Sequence, residues 1–252
     1  MRVSILGSGG GAPSGVRETS CVLVRDGKRA LLLDMGTGAR RLVADRSLLD
    51  GAGEVHIVLT HFHFDHICGL PYLPWLHVEA TIWAPGRWLY GKASAEILEP
   101  LRRPPIAPSD HTGTYPVNEL VPGSQTIGGF EVRTSPQPRH WAPSAGLRID
   151  DHLAFITDTP YEASSSNLAS GVVHLLHEAW SSSRAPMYPD RDATAADAAR
   201  VAHESGAGEL TLIHLNPTLG DLSPLLEDAS AVFERVGLGR DQMVLGRGVE
   251  PG

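Results

Sequence analysis

The segment Thr60-His61-Phe62-His63-Phe64-Asp65-His66 places four metal-capable side chains within six positions, directly after the apolar run Val55-His56-Ile57-Val58-Leu59. With 12 His in 252 residues, that density points to coordination rather than chance. Neutral imidazoles are the commonest protein ligands for zinc and similar ions, and a carboxylate adds a hard oxygen donor. Alternate side chains of an extended chain face the same way. His61, His63 and Asp65 are therefore expected to converge while Phe62 and Phe64 pack behind them. Asp65 and His66 then fall on different sides of the chain, which favours two metals over one. The plainer reading is a His-rich surface loop, which the alternation with aromatics after a strand disfavours.

Three later segments supply further candidates: Pro138-Arg139-His140-Trp141, Phe155-Ile156-Thr157-Asp158-Thr159 and Leu212-Ile213-His214-Leu215-Asn216-Pro217. Asp158 and His214 each follow a short apolar run, so both are expected at strand exits, where active-site residues of layered α/β folds collect. Together with the His-x-His-x-Asp-His cluster, these segments resemble the signature of the metallo-β-lactamase superfamily from Val3 to about Val236. The resemblance implies His61, His63 and His140 on one metal, Asp65, His66 and His214 on the other, and Asp158 bridging them. It further implies a hydrolase whose nucleophile is a hydroxide bridging two zinc ions, with Asp65 orienting that hydroxide. Manganese or iron would suit the same donors.

Within the superfamily, Leu6-Gly7-Ser8-Gly9 through Pro13 to Ser20, His177-Glu178-Ala179 and Thr194-Ala195-Ala196-Asp197-Ala198-Ala199 resemble the ribonuclease Z-like phosphodiesterase branch. That resemblance implies a phosphodiesterase acting on a small phosphate diester, with His177 and Glu178 at the site. Members of the branch often pair into homodimers. Two departures matter. Ribonuclease Z carries a long tRNA-binding arm between the positions matching His140 and Asp158, whereas here 17 residues separate them. This disfavours tRNA and favours a small-molecule substrate. Where the branch places a His before its terminal helix, this chain has Asp192. A carboxylate there protonates a leaving group only if its pKa is raised, and its alternative role is a helix N-cap. The competing functions are hydrolysis of another ester, a lactone or a sulfate ester, and a weakly catalytic metal-binding biosynthetic accessory protein.

Strands must position these residues. Val3–Leu6, Ser20–Arg25, Ala30–Asp34, Val55–Leu59 and Thr81–Ala84 read as strands in the first half. Gly129–Thr134, Gly146–Ile149, Leu153–Thr157, Val172–Leu176 and Glu209–Ile213 do so in the second. One helix is expected at about Thr194–Glu204, stopping at Gly206; another starts at Ser223 as N-cap with Pro224 at its first position and stops at Gly237. Two β-rich halves with helices suggest an α/β fold of two sheets with helices outside, and the resemblance implies a four-layer αβ/βα sandwich of two mixed sheets. A single domain over residues 1–252 is expected, with a long Pro-rich surface loop or flap at about 100–125.

Gly7-Ser8-Gly9-Gly10-Gly11-Ala12 fits a dinucleotide-binding pattern, but that requires a helix beginning within the glycines. Pro13-Ser14-Gly15 and another strand follow, so a tight turn beside the metals is the better reading. Asp34 is then a candidate acceptor for a ligand imidazole. Trp141 and Trp180 are candidate walls of a pocket for an apolar or planar substrate. Net charge is −8 with no basic stripe, which argues against a protein that grips a nucleic-acid backbone. No apolar stretch is long enough to span a bilayer, no signal peptide is recognisable and Cys21 and Cys68 form no disulfide framework, so a cytoplasmic protein is expected.

Overall fold

The apolar runs become strands, and four strands absent from the sequence reading join them at the sheet edges. The computed structural model describes residues 1–106 and 115–246. Its first strands are β1 (Arg2–Gly7), β2 (Cys21–Asp26), β3 (Arg29–Leu33), β4 (Val55–Val58), β5 (Ala80–Ala84), β6 (Val117–Glu119) and β7 (Gly123–Ile127). The second set is β8 (Phe130–Gln137), β9 (Ser144–Ile149), β10 (Leu153–Ile156), β11 (His174–Glu178), β12 (Glu209–Ile213), β13 (Val236–Leu238) and β14 (Met243–Leu245). The helices are α1 (Arg40–Ala44), α2 (Phe64–Ile67), α3 (Gly86–Tyr90), α4 (Ser94–Arg102), α5 (Ala163–Leu168), α6 (Ala195–Ser205) and α7 (Ser223–Ser230).

Two mixed seven-stranded sheets result, ordered β14-β1-β2-β3-β4-β5-β6 and β13-β12-β11-β10-β9-β8-β7. Side-chain alternation splits each strand between two layers. Val22, Val24, Leu31 and Leu33 meet Phe130, Leu147 and Phe155 between the sheets. Leu23, Ala30 and Leu32 turn outward onto Leu42, Leu73 and Leu98 of the helical layer. On the other flank, Leu175 and Leu210 pack under Ala198, Ala202 and Leu225 of α6 and α7. Each fully buried Leu or Ile contributes about 1.5–3 kcal/mol, so both sheets are anchored on both faces. The outcome is the expected four-layer sandwich.

Parallel pairing sets where the chemistry can sit. β3 runs parallel to β4, pairing Leu33 with Val58. β10, β11 and β12 are likewise parallel, pairing Ile156 with His177 and Glu178 with Ile213. Their carboxyl ends leave the sheets along one edge. There the sheets are stitched together by Ala145 N–H donating to the Thr60 carbonyl (2.9 Å) and by reciprocal bonds between Gly10, Leu215 and Ser8.

The structure departs from the sequence reading in four places. The stretch expected as a loop at about 100–125 holds the end of α4 and two strands, β6 and β7; residues 107–114 of it lie outside the described residues. β6, β13 and β14 are three residues long, too short to display a period of two, and β7 is a polar Gly-Ser-Gln-Thr-Ile edge strand. The last helix begins at Ser223 itself, with Leu222 rather than Ser223 in the N-cap position, and ends at Ser230; Gly237 lies in β13 rather than stopping it. Finally, β11 extends to Glu178, two residues past the expected end, which decides where His177 points. Among the described residues, no helix is long and apolar enough to cross a membrane.

Candidate metal centre

Three strand exits end in residues with left-handed backbones: Asp34 (φ 57°) after β3, Asp158 (φ 55°) after β10 and His214 (φ 49°) after β12. That conformation costs an L-residue about 1–2 kcal/mol. The packed strands impose it, and it turns each side chain back over the sheet edge into one cluster.

The cluster gathers all seven residues singled out as metal candidates. Oδ1 of Asp158 faces three imidazoles: His140 Nε2 at 3.2 Å, His61 Nε2 at 3.8 Å and His63 Nδ1 at 4.0 Å. Its Oδ2 faces two others, His66 Nε2 at 3.1 Å and His214 Nε2 at 3.5 Å. Oδ2 of Asp65 completes the second group, 3.3 Å from His66 Nε2 and 3.2 Å from His214 Nε2. Ligands about 2.0–2.1 Å from a tetrahedral ion lie roughly 3.3–3.4 Å apart, so these spacings suit cations seated between the atoms.

Backbone geometry explains the convergence. His63 caps the short helix α2, so the extended alternation stops there. His61 and His63 come from the strand exit, while Asp65 and His66 come from the helical turn. Phe62 packs edge-to-face on Tyr90, with centroids 5.2 Å apart. Phe64, expected to pack behind the ligands, is 70% exposed instead, because it opens the helix on its solvent side. The glycine turn lies against the cluster. Gly11 N–H donates to Asp65 Oδ2 at 2.7 Å, and a Cβ on Gly10 would stand 2.4 Å from the His214 ring.

Behind the imidazoles stand three more carboxylates. Asp34 Oδ2 accepts from His66 Nδ1–H at 2.7 Å, and Asp34 also accepts from Thr60 N–H and Oγ1. Thr60 Oγ1 in turn lies 3.0 Å from His61 Nδ1. Asp192 Oδ1 is 3.0 Å from His140 Nδ1, and Glu178 Oε2 is 3.4 Å from His214 Nδ1. The His140 Nδ1–H also donates to the Arg191 carbonyl at 3.0 Å, and the bonds at Nδ1 of His66 and His140 fix the tautomers that present Nε2 inward. Glu178 also accepts from the N–H groups of Asp158, Thr159 and Ala193, tying three loops together.

These positions revise the expected catalytic set. Asp192 does not cap the helix: Thr194 does, in a capping box with Asp197. Glu178 is fully buried behind His214 and Asp158, so it positions them rather than meeting substrate. His177 does not join the cluster. Successive side chains of β11 point to opposite faces, so Glu178 enters the centre while His177 turns under α6. Its Nδ1–H donates to its neighbour's carbonyl, its Nε2 has no partner, and burial pushes its pKa down to about 4. Trp180 lines the centre, its ring centroid 5.7 Å from that of His214. Trp141 sits at the mouth, 64% exposed. Sequence reasoning did not single out Tyr188 or Arg191, which pack against Trp141; no local spacing marks them.

The electrostatics favour positive charge at the centre, carried by protons on the imidazoles or by a cation. Asp34, Asp65, Asp158, Glu178 and Asp192 are all buried, and among the described residues each is paired only with histidine. Burial opposes the charge on Asp158, yet His214, His66 and His61 hold it well below the ordinary carboxylate range. Burial likewise opposes a proton on His66, but Asp65, Asp158 and Asp34 raise it well above the usual imidazole value. Burial also opposes the charge on His214, where Asp158, Asp65 and Glu178 outweigh it. His61, with burial the dominant influence and His66 adding to it, goes the other way. His61 Nε2 and Asp158 Oδ2 are buried without a hydrogen-bond partner. Clustered carboxylates and inward-facing imidazoles, some unpartnered, are a donor set that divalent cations fit.

Comparison with known proteins agrees. The sequence profile described as the Metallo-beta-lactamase superfamily matches residues 14–233. Ribonuclease Z of Prochlorococcus marinus (strain MIT 9313) is 27% identical over 312 aligned positions, covering 96% of each chain. The probable metallo-hydrolase YhfI of Bacillus subtilis (strain 168) is 27% identical over 249, covering 92% of this chain and 94% of that one. The crystal structure of Bacillus subtilis YhfI shares the fold at a TM-score of 0.79 and 23% identity, covering 97% of this chain and 98% of its own. A diphosphatase from the PhnP family does so at 0.75 and 18% identity, covering 98% of both.

Proposed function

The chain belongs to the metallo-beta-lactamase superfamily and is a metal-dependent hydrolase; on that premise we propose that it is a dinuclear zinc phosphodiesterase acting on a small phosphate diester. The observation that carries the reading is the division of Asp158, whose two oxygens face two separate groups of ligands. His61, His63 and His140 would hold one ion, Asp65, His66 and His214 the other, and Asp158 both. Five imidazoles outnumber two carboxylates in this set, which favours zinc over harder ions. Two divalent ions so held would supply Lewis acidity and bring the pKa of a water toward ~7, providing a nucleophile at neutral pH.

The protein's own residues do the rest. Asp65 is pinned by Gly11 N–H through Oδ2, and a carboxylate has lone pairs left to accept a hydrogen bond from the attacking water and aim it. Asp34, Asp192 and Glu178 hold three rings against rotation, so the donor atoms are arranged before substrate arrives. Trp180 shields the His214 side from bulk water. Asp192 stands behind His140, on the Nδ1 side, and so is not placed to protonate a leaving group.

Size argues for a small substrate. The 17 residues between His140 and Asp158 are largely consumed by β9 and β10, leaving no arm to reach a large RNA. The named relatives include ribonuclease Z and a PhnP-family diphosphatase, both of which cleave phosphate linkages. The decisive experiment is metal analysis of the purified protein combined with a panel of p-nitrophenyl esters. Two zinc ions per chain and turnover of bis-p-nitrophenyl phosphate well above carboxylic and sulfate esters are expected. One ion per chain, or preference for a non-phosphate ester, would overturn the reading.

A further inference from the structure

The loop that holds His140 from behind also builds a feature the metal cluster does not use. Tyr188 has φ 53°, a left-handed backbone that a bulky aromatic residue adopts only when its surroundings impose it. Its carbonyl accepts from the N–H groups of Arg191 (2.8 Å) and Asp192 (2.9 Å), locking the turn. The Tyr188 ring meets Trp141 edge-on at a centroid separation of 6.0 Å. The Arg191 guanidinium lies 5.0 Å from the centre of the Trp141 ring. Although this fixed, both rings stay open to solvent, Tyr188 at 54%.

The charge around them is unusual for a chain of net charge −8. Arg191 Nη1 donates to the carbonyls of Arg139 and His140, and Arg139 Nη1 donates to the Tyr161 carbonyl. Among the described residues, neither guanidinium has a carboxylate at ion-pair distance. The Arg191 guanidinium, bound only to neutral carbonyls, therefore lies over an exposed indole one residue from His140, while the Arg139 guanidinium turns toward Tyr161 and Glu162. An isolated surface Trp would need neither the strained turn nor the guanidinium over its ring.

We propose that Trp141, Tyr188 and Arg191 form a subsite beside the metal centre for a planar aromatic group borne on an anionic phosphate. The aromatic group stacks on Trp141, as bases stack on exposed aromatic side chains elsewhere. The Arg191 guanidinium meets the anionic oxygen of that same phosphate. This rests on the phosphodiesterase reading and specifies its substrate as an aryl or nucleoside phosphate diester.

Two measurements test it. The first compares thymidine 5′-(p-nitrophenyl phosphate) with methyl p-nitrophenyl phosphate, which share a leaving group. Wild type is expected to show the lower KM for the nucleoside ester. Trp141→Ala should cut that preference about tenfold or more, and Trp141→Phe should retain most of it. The second follows tryptophan fluorescence of metal-loaded and metal-stripped protein against AMP, phenyl phosphate and ribose 5-phosphate. Quenching by the two aromatic phosphates but not by the sugar phosphate, lost in Trp141→Ala, supports the subsite. Equal effects of Trp141→Ala on both diesters, or no discrimination between AMP and ribose 5-phosphate, overturns it. If wild type cleaves neither diester, the phosphodiesterase reading fails, and the fluorescence titration still decides whether the aromatic subsite exists.

Discussion

Oδ1 of Asp192 lies 3.0 Å from Nδ1 of His140, on the side of the ring opposite the nitrogen that faces Asp158. With Asp34 behind His66 and Glu178 behind His214, it makes a third carboxylate acting through an imidazole rather than on substrate. Removing such a partner typically costs about 10–100-fold in metal affinity. Asp192→Ala should weaken one of the two ions toward the lower end of that range in a chelator competition titration, because the Arg191 carbonyl still accepts from His140 Nδ1. Asp192→Asn should weaken it less, since the amide oxygen can still accept. Should both variants keep two tightly bound ions yet lose the basic limb of the pH–rate profile, Asp192 would be a proton donor after all.

Metal uptake should release protons. Despite burial, surrounding carboxylates raise His66 and His214 well above the ordinary imidazole value, so their protons must leave when a cation enters. Affinity is expected to climb with pH through the neutral range. In the metal-free protein the sign reverses. Stability contributed by these charged rings is full below about pH 6.5 and is lost as pH rises through their raised folded-state values. Calorimetric titration with zinc in buffers of different ionisation enthalpy measures the release; a buffer-independent heat would show the rings already neutral.

Gly10→Ala should cripple the centre with little loss of fold. The added methyl would meet the His214 ring at 2.4 Å, whereas a methyl on Gly15 in the same loop would meet nothing within 4 Å. A displacement of about 1 Å at a catalytic group can cost about 100-fold in rate. Zinc content should fall from two toward one in Gly10→Ala and stay at two in Gly15→Ala. Equal behaviour of the two variants would remove the turn from any role in seating His214.

His177→Leu should stabilise the protein in mild acid. Burial holds the His177 ring neutral down to about pH 4, while an unfolded histidine takes its proton near pH ~6.5. As pH falls from about 6.5 to about 4 the wild type should therefore lose up to roughly 3 kcal/mol that the variant keeps. Urea denaturation at pH 7 and pH 4.5 measures the difference. Zinc content should be unchanged, because the ring points away from the centre.

Much of the centre was legible because its candidate ligands lie near one another in sequence or at the ends of apolar runs. His61, His63, Asp65 and His66 announce themselves by spacing, and Asp158 and His214 by following strands. The alternation rule failed at Phe64, where a helical turn replaced the extended chain, and at His177, where two further strand residues decided which side chain faces inward. The positioning role of Asp192 was hidden for another reason. Its neighbour in space, His140, is about fifty residues away in sequence, and no local pattern encodes that meeting. The same holds for Tyr188 and Arg191 against Trp141.

The cross-sheet origin of the ligands has a consequence for how the molecule matures. His61 to His66 leave one sheet, while Asp158 and His214 leave the other, and the last donor is synthesised some 150 residues after the first. Neither half of the chain can hold a complete coordination sphere alone. Full-strength cation capture therefore waits until both halves have docked, which makes the ion a late-arriving clasp and its retention a direct report of finished folding.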